Sequence, residues 1–336
     1  MELQRKAFYN LLRMNARDDK NIQAENWQVE DLRELETHQL FTRLQLIGVA
    51  LDEESFLLYA DNYSTPEDLA ASLSEVEENK DKIFLLIFEL WRRSCPDKQS
   101  VSIFCDELDF RISLYEEDPA TYNHMIQSSL IRLEEILEAS IDEGTDPKTC
   151  FDVLDPFCAH DVETFLYGYI STQIDVDNYS YAAELLDIFY PFVMDELWFD
   201  LLQVRLLVGA DPHAANVMIK NILAELSSES DLELVMEVAD FLVAHGDPQS
   251  FQQAVKQALE LIKVEDDFQE LIAIVSDYYQ CLDKDKEDQH LQSLLEKRAH
   301  IDLVAPIKKN DEDVLAFQNS LPQLVRSLLM EEKRSG

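Results

Sequence analysis

Six glycines in 336 residues are too few and too scattered for a Rossmann or P-loop turn; no two stand close enough to make either motif. Cysteine is also scarce. Cys95, Cys105, Cys150, Cys158 and Cys281 include no C-x-x-C pair. That excludes a disulfide scaffold and reads as reduced thiols packed as small hydrophobes on helix faces. Basic side chains number 28 against 68 acidic ones, a formal net charge of −40. Nucleic-acid binding is excluded, because it needs Lys and Arg to neutralise phosphates. No apolar run approaches the roughly 20 residues that span a bilayer. The longest, Ile83 to Trp91, already contains Glu89. Met1-Glu-Leu-Gln-Arg-Lys has no apolar h-region, so no secretory signal is read, and a cytoplasmic protein without stable membrane insertion is expected. Strand signals are nearly absent: no Asn-Gly or Asp-Gly pair occurs, and β-branched residues rarely alternate with polar ones.

What the chain does have is helical periodicity. Met125, Ile126, Leu130, Ile131, Leu133, Ile136 and Leu137 recur at three- and four-residue steps, as do Val217, Met218, Ile222, Leu223 and Leu226, and Phe251, Val255, Leu259 and Ile262. Asp-Pro pairs punctuate these stretches at Asp118-Pro119, Asp146-Pro147, Asp155-Pro156, Asp211-Pro212 and Asp247-Pro248. Asp accepts an orphan backbone N–H at a helix start, and Pro suits the first helical position. Gly144, Gly209 and Gly246 lie just upstream of three pairs, where a left-handed residue ends the preceding helix. The same rules predict helices over 2–16, 28–50, 53–62, 66–76, 80–94, 98–116, 119–142, 147–153, 160–173, 180–191, 195–208, 212–227, 231–245, 248–263, 265–282, 286–303 and 311–331. The fold class is all-α, built of antiparallel helical hairpins. Glu116-Glu117-Asp118 is the best break, giving an N-terminal helical region, 1–116, and a helical-hairpin repeat region, 117–336; a second break near Asp175-Val-Asp-Asn and one continuous domain are the alternatives.

The spacing of the Asp-Pro corners, 36 residues from Asp211 to Asp247, lies in the range of helical-hairpin repeats. Residues 195–263 resemble tetratricopeptide repeats in part. Trp198, Leu201, Ala214 and Met218 stand where that family has Trp, Leu, Ala and a large apolar residue. Leu202, Arg205 and Leu226 depart from its Gly, Tyr and Pro. The resemblance implies a degenerate tetratricopeptide- or HEAT-like α-solenoid with an extended binding surface.

Chemistry-bearing constellations are few. His124, His160-Asp161 and Asp231 resemble the H…HD…D order of HD-type phosphohydrolases, which would imply a metal-dependent hydrolase. Val162-Glu163-Thr164 follows where that family has small and basic residues, and Asp161 also reads as a helix-start acid. Asp175-Val-Asp177-Asn-Tyr179 and Asp283-Lys-Asp285-Lys-Glu287 begin like calcium loops. Both lack the Gly and the bidentate Glu, with Ser180 and Leu186 in the first and Asp288 and Leu294 in the second. They read as polar turns. The first helix sets Leu3, Phe8, Leu11 and Leu12 against Arg5, Lys6, Arg13 and Arg17; it either packs on its neighbour or touches a membrane surface.

Residues 121–200 carry seventeen acids against Arg132 and Lys148. Within and just beyond them lie Tyr167, Tyr169, Tyr179, Tyr181, Phe189, Tyr190, Phe192, Trp198 and Phe199, which form either a core or an aromatic groove for a basic amphipathic segment. The expected function is a non-catalytic protein–protein interaction scaffold, adaptor or chaperone with an acidic surface for a basic protein partner. No cofactor, metal or catalytic residue is assigned. The alternatives are the HD-like hydrolase and a nucleic-acid mimic that occupies a basic cleft.

Overall fold

The computed structural model describes residues 3–73, 77–228, 230–308 and 311–318. Every regular element among them is helical, and their one extended pairing is an isolated antiparallel bridge between Val264 and Pro306. No helix among the described residues is long and apolar enough to cross a membrane. The chain divides into two compact units: Met1–Gly168 with Pro191–Met194, and Tyr169–Tyr190 with Asp195–Gly336. The Glu116–Asp118 corner, where the sequence suggests a break, joins two helices of the first unit.

That unit holds α1 (Arg5–Asp18), α2 (Asn26–Val29), α3 (Thr37–Leu46), α4 (Glu53–Ala60), α5 (Pro66–Leu73), α6 (Lys80–Ser94), α7 (Val101–Glu117), α8 (Pro119–Asp142), α9 (Cys150–Leu154) and the start of α10 (Val162–Asp175). Its centre is α6, on which α3 and α5 pack. All of Ile83 to Trp91 is buried, as befits a helix that is apolar on every side. Glu89 can sit there because Arg92 and Arg93 reach its carboxylate at 2.7 and 2.5 Å; a buried charge is tolerable only when paired.

The expected helix over 28–50 is broken into α2, a 3₁₀ turn at Leu32–Glu34, and α3. Apolar periodicity runs through the stretch, but its acids bind backbone N–H groups instead of letting the helix continue. Asp31 accepts from the Arg33 amide at 3.0 Å, and Glu36 forms a capping box with Gln39. The carbonyls freed by the break are taken up by the Arg93 guanidinium, which donates to Leu35 at 2.7 Å and Leu32 at 3.0 Å. Similarly, 147–153 is a 3₁₀ turn at Pro147–Thr149 followed by α9, and Asp155-Pro156 opens a second 3₁₀ turn rather than a helix.

Helix α1 packs on α2 and α7. It buries Ala7, Tyr9 and Asn10 and leaves Phe8 exposed. Its bases pair with the chain's own acids: Arg5 with Asp81 at 3.3 Å, Lys6 with Asp106 at 2.6 Å, Arg13 with Asp31 at 3.2 Å and Arg17 with Glu117 at 3.1 Å. The bases that would meet lipid headgroups thus meet protein carboxylates here, while Phe8 stays exposed. Asp106 is buried and also holds Arg33 at 2.6 Å. Burial alone would raise its carboxyl pKa; Lys6 and Arg33 outweigh that and hold it well below the usual carboxylate range.

The second unit holds the end of α10, then α11 (Tyr179–Phe189), α12 (Glu196–Leu207), α13 (Pro212–Leu226), α14 (Leu232–His245), α15 (Pro248–Leu261), α16 (Glu265–Cys281) and α17 (Asp285–Arg298), with residues 312–318 helical again. Each helix of α12 to α17 packs on its sequence partner, α12 on α13, α14 on α15 and α16 on α17. Alternate helices also touch, α14 with α16 and α13 with α15. Leu201, Ile219, Leu223, Val235, Phe251 and Leu271 belong to one core that these pairs share. The helix starts are read correctly: Asp118, Asp211 and Asp247 each accept a backbone N–H two or three residues on, at 3.0 to 3.2 Å.

Helix α17 stops at Arg298, five residues before the expected 303. Residues 303–307 instead run back to the start of α16, whose N-cap Val264 offers no side chain. The Ala305 and Leu303 carbonyls accept from the Glu265 and Asp266 amides at 2.9 and 3.0 Å. Arg298 locks this return. It donates to both Glu265 oxygens, at 2.7 and 2.6 Å, and to Asp311 at 3.1 Å. Val314 and Phe317 then join the core, Phe317 edge-on to Phe268 at 5.6 Å. The expected helix over 311–331 is present at 312–318, and its remainder lies outside the described residues, as do 74–76 of the expected 66–76.

Of the three glycines read as left-handed caps, only Gly144 is one, at φ +96°. Gly246 is extended at φ −101°. A Cβ there would run into the Leu242 side chain, whose own Cβ would lie at 2.8 Å, so close packing selects this glycine. Around Gly209 nothing lies within 4 Å of the Cβ position. Gly246→Ala should therefore destabilise by about 1–3 kcal/mol through overpacking. Gly209→Ala should be neutral or add up to about 1 kcal/mol through the unfolded chain. Urea unfolding of the two variants separates these cases.

Asp106→Ala leaves Lys6 and Arg33 without their buried partner and should cost about 3–5 kcal/mol. The Asp106 pKa is lowered by folding. Its contribution is therefore fully present above the ordinary carboxylate range and is lost only as pH falls below that range towards the depressed folded value, which urea titrations near pH 7 and about pH 2.5 would show as a narrowing gap between parent and variant.

Candidate functional site

A groove of about 320 Å³ lies in the second unit between α12, α14 and α16. On α14, Glu233, Met236, Glu237 and Asp240 stand at steps of three, one and three, which places them on one helix face; on α16, Asp267, Glu270 and Ile274 do the same. Met236 and Ile274 are buried and form an apolar floor with Leu232 and the half-buried Trp198. The Trp198 ring is oriented from behind. Its indole N–H donates to Asp231 at 3.1 Å, and the same Asp231 caps α14 by accepting from the Leu234 amide at 3.1 Å. One carboxylate thus sets both the helix start and the tryptophan beside it.

Five carboxylates rim this floor: Glu233, Glu237, Asp240, Asp267 and Glu270, with no Lys or Arg among the described lining residues. The crowding has an electrostatic signature. The Glu270 carboxyl is raised above its ordinary value by partial burial and then by the negative charges of Asp266, Asp267, Asp240 and Glu237. Asp240 is raised by burial and by Asp277. A cation placed among them would relieve this repulsion while an apolar side chain covered the floor. Of these residues the sequence singled out only Trp198. The missed signal is the acid spacing on α14 and α16, which is plain only when each helix is read as a face.

The other sequence-level candidates have local duties. His160 lies with its Nδ1 3.0 Å from Asp109, and Asp109 also accepts from the Ala159 and His160 amides at 2.9 and 3.0 Å. Asp161 caps α10 by accepting from Thr164 at 2.9 Å. His124 is exposed beside the Thr121 carbonyl, and Asp231 holds Trp198 and the α14 start. Asp177 is left-handed at φ +60° and accepts from the Tyr179 hydroxyl at 2.6 Å, while Arg205 draws in Asp175. Asp283 is left-handed at φ +55°. The first run is a polar turn between α10 and α11, and the second turns at Asp283 and then enters α17 at Asp285. Among the aromatics, Tyr169, Phe189, Phe192 and Phe199 are core residues, Tyr179 is exposed, and the Tyr190 hydroxyl donates to Asp200 at 2.7 Å. Cys105 and Cys158, 53 residues apart, meet as buried thiols, and their hydrogen bond together with burial pushes the Cys158 thiol up.

Because Glu270 titrates higher when folded, its charge opposes folding above the carboxylate range and stops doing so as pH falls through it. Glu270→Gln should therefore be more stable than the parent near pH 7, with the advantage fading towards about pH 4, where parent carboxylates protonate. Urea midpoints across that range check the sign. No protein-family model matches the chain, and no curated protein or solved structure is found to be similar to it.

Proposed function

We propose that the protein is a non-catalytic, cytoplasmic adaptor or chaperone whose groove on α12, α14 and α16 receives a cationic amphipathic segment of a partner protein. In this reading α12 to α17 are three degenerate tetratricopeptide- or HEAT-like hairpins, and their first helices line the binding face. The alternating contacts of α14 with α16 and α13 with α15 support it. The observation that carries the proposal is the pairing of an apolar floor, Trp198, Met236 and Ile274, with a rim of five carboxylates. Apolar anchors on the ligand would bury against the floor, and its Lys or Arg side chains would meet the rim.

The test is fluorescence anisotropy with a labelled amphipathic Lys/Leu helix peptide. Saturable binding is expected. Raising salt from about 0.05 to 0.5 M should weaken it by roughly tenfold or more, since rim pairs are screened over a few ångströms. A peptide with Gln in place of Lys should not bind. Reversing two rim charges, Glu237→Lys with Glu270→Lys, should abolish binding while the helical circular-dichroism signal is kept. Equal binding of the neutral peptide, or no effect of the double reversal, would sink the reading. Binding should also weaken on acidification, beginning above the pH where free carboxylates titrate, because Glu270 and Asp240 protonate early.

A further inference from the structure

In the first unit the balance of charge is locally inverted. Lys6 and Arg33 share Asp106, Arg33, Arg92 and Arg111 share Glu107, and Arg92 and Arg93 share Glu89. This connected network sets five cations on three carboxylates, an excess of two positive charges in a chain whose net charge is −40. Part of this network lines a pocket of about 400 Å³ between the end of α6, α7 and α8.

Three arginines converge on that pocket, Arg92, Arg111 and Arg132, with Glu107 as the carboxylate among its described lining residues. None of the three is fully satisfied. Arg92 lies 3.7 Å from Glu107, beyond hydrogen-bond reach, on its Nη1 side. Arg111 donates through Nη1 to the Ser129 hydroxyl at 2.9 Å. Its buried Nε has no acceptor, the nearest Glu107 oxygen standing at 3.6 Å. Arg132 uses Nη1 on Glu135, and its side chain is about half exposed. The Ser128 and Ser129 hydroxyls donate to the His124 and Met125 carbonyls, so they do not compete for an anion's oxygens as donors. Gln99 is exposed at the rim. The opposite wall is apolar and buried, formed by Ile103, Phe104 and Leu108.

We infer that this pocket binds the phosphomonoester group of a small organic molecule. A phosphomonoester dianion matches the formal excess of two positive charges in the described lining, three arginines against Glu107, and its oxygens accept the forked donors that the guanidinium groups present. The volume exceeds what the phosphoryl group needs, and Phe104 with its neighbours offers contact to an apolar or aromatic body. Glu107 is the antagonist of the site. It is the anion nearest the bound oxygens, and it positions Arg92 and Arg111 at a distance that leaves their donors available.

Isothermal titration calorimetry of the full chain with phenyl phosphate, inorganic phosphate and phenol tests this. Phenyl phosphate should bind once per chain, inorganic phosphate more weakly, and phenol without saturable heat. Arg111→Gln and Arg132→Gln should each weaken phenyl phosphate by about tenfold or more, the scale of one lost charge-assisted hydrogen bond. Arg132 is half-exposed, so its variant reports even if Arg111→Gln unfolds. Glu107→Gln should tighten binding several-fold by removing repulsion, an outcome that mere loss of structure would not give. Phenol binding as well as phenyl phosphate, no saturable heat with either phosphate, or an Arg132→Gln affinity equal to the parent's would each overturn the inference.

Discussion

Scarcity of positive charge governs how this chain folds. A guanidinium or ammonium drawn out of water must find carboxylates, and here carboxylates outnumber cations by more than two to one. Several arginines are accordingly drawn inward. Arg33 lies between Asp106 and Glu107, Arg93 between Glu89 and a broken helix, and Arg298 between Glu265 and Asp311. Each holds together segments far apart in sequence. What remains for the outer helix faces is mostly acid, and the rim on α14 and α16 is one product of that division.

The helices were legible because their starts are written in Asp-Pro and their bodies in apolar spacing. Asp118, Asp211 and Asp247 do locally what the sequence implies. The failures are where a distant group decides. Residues 28–50 have helical spacing, yet Arg93, some sixty positions on, accommodates the carbonyls of a break. Residues 299–303 could extend α17, but α16 begins without a capping side chain and takes their neighbours' carbonyls instead. Gly246 looks like Gly144 in sequence and differs because the Leu242 side chain crowds it. Local rules see φ and caps; they do not see a side chain folding back over the end of its own helix.

The two sites divide in the same way. Trp198 was visible as an aromatic near an acidic stretch, but its companions Met236, Asp240 and Ile274 come from helices far beyond it. The basic pocket was not legible at all. Arg92, Arg111 and Arg132 lie on three helices about twenty residues apart, and each alone reads as a surface charge. Packing of α8 on α7 brings Arg111 and Arg132 together, and the end of α6 adds Arg92.

The return of residues 303–307 to the start of α16, with residues 311–317 beyond, has a consequence for assembly. An apolar helical flank left bare invites another copy of itself, and an array of hairpins then has no natural terminus. Here Val314 and Phe317 join the core from within the same chain, and Arg298 and Lys297 tie their segment down through Asp311 and Asp313. Loosening this segment would bare the Phe268 side of the core, an apolar surface of the kind that drives self-association.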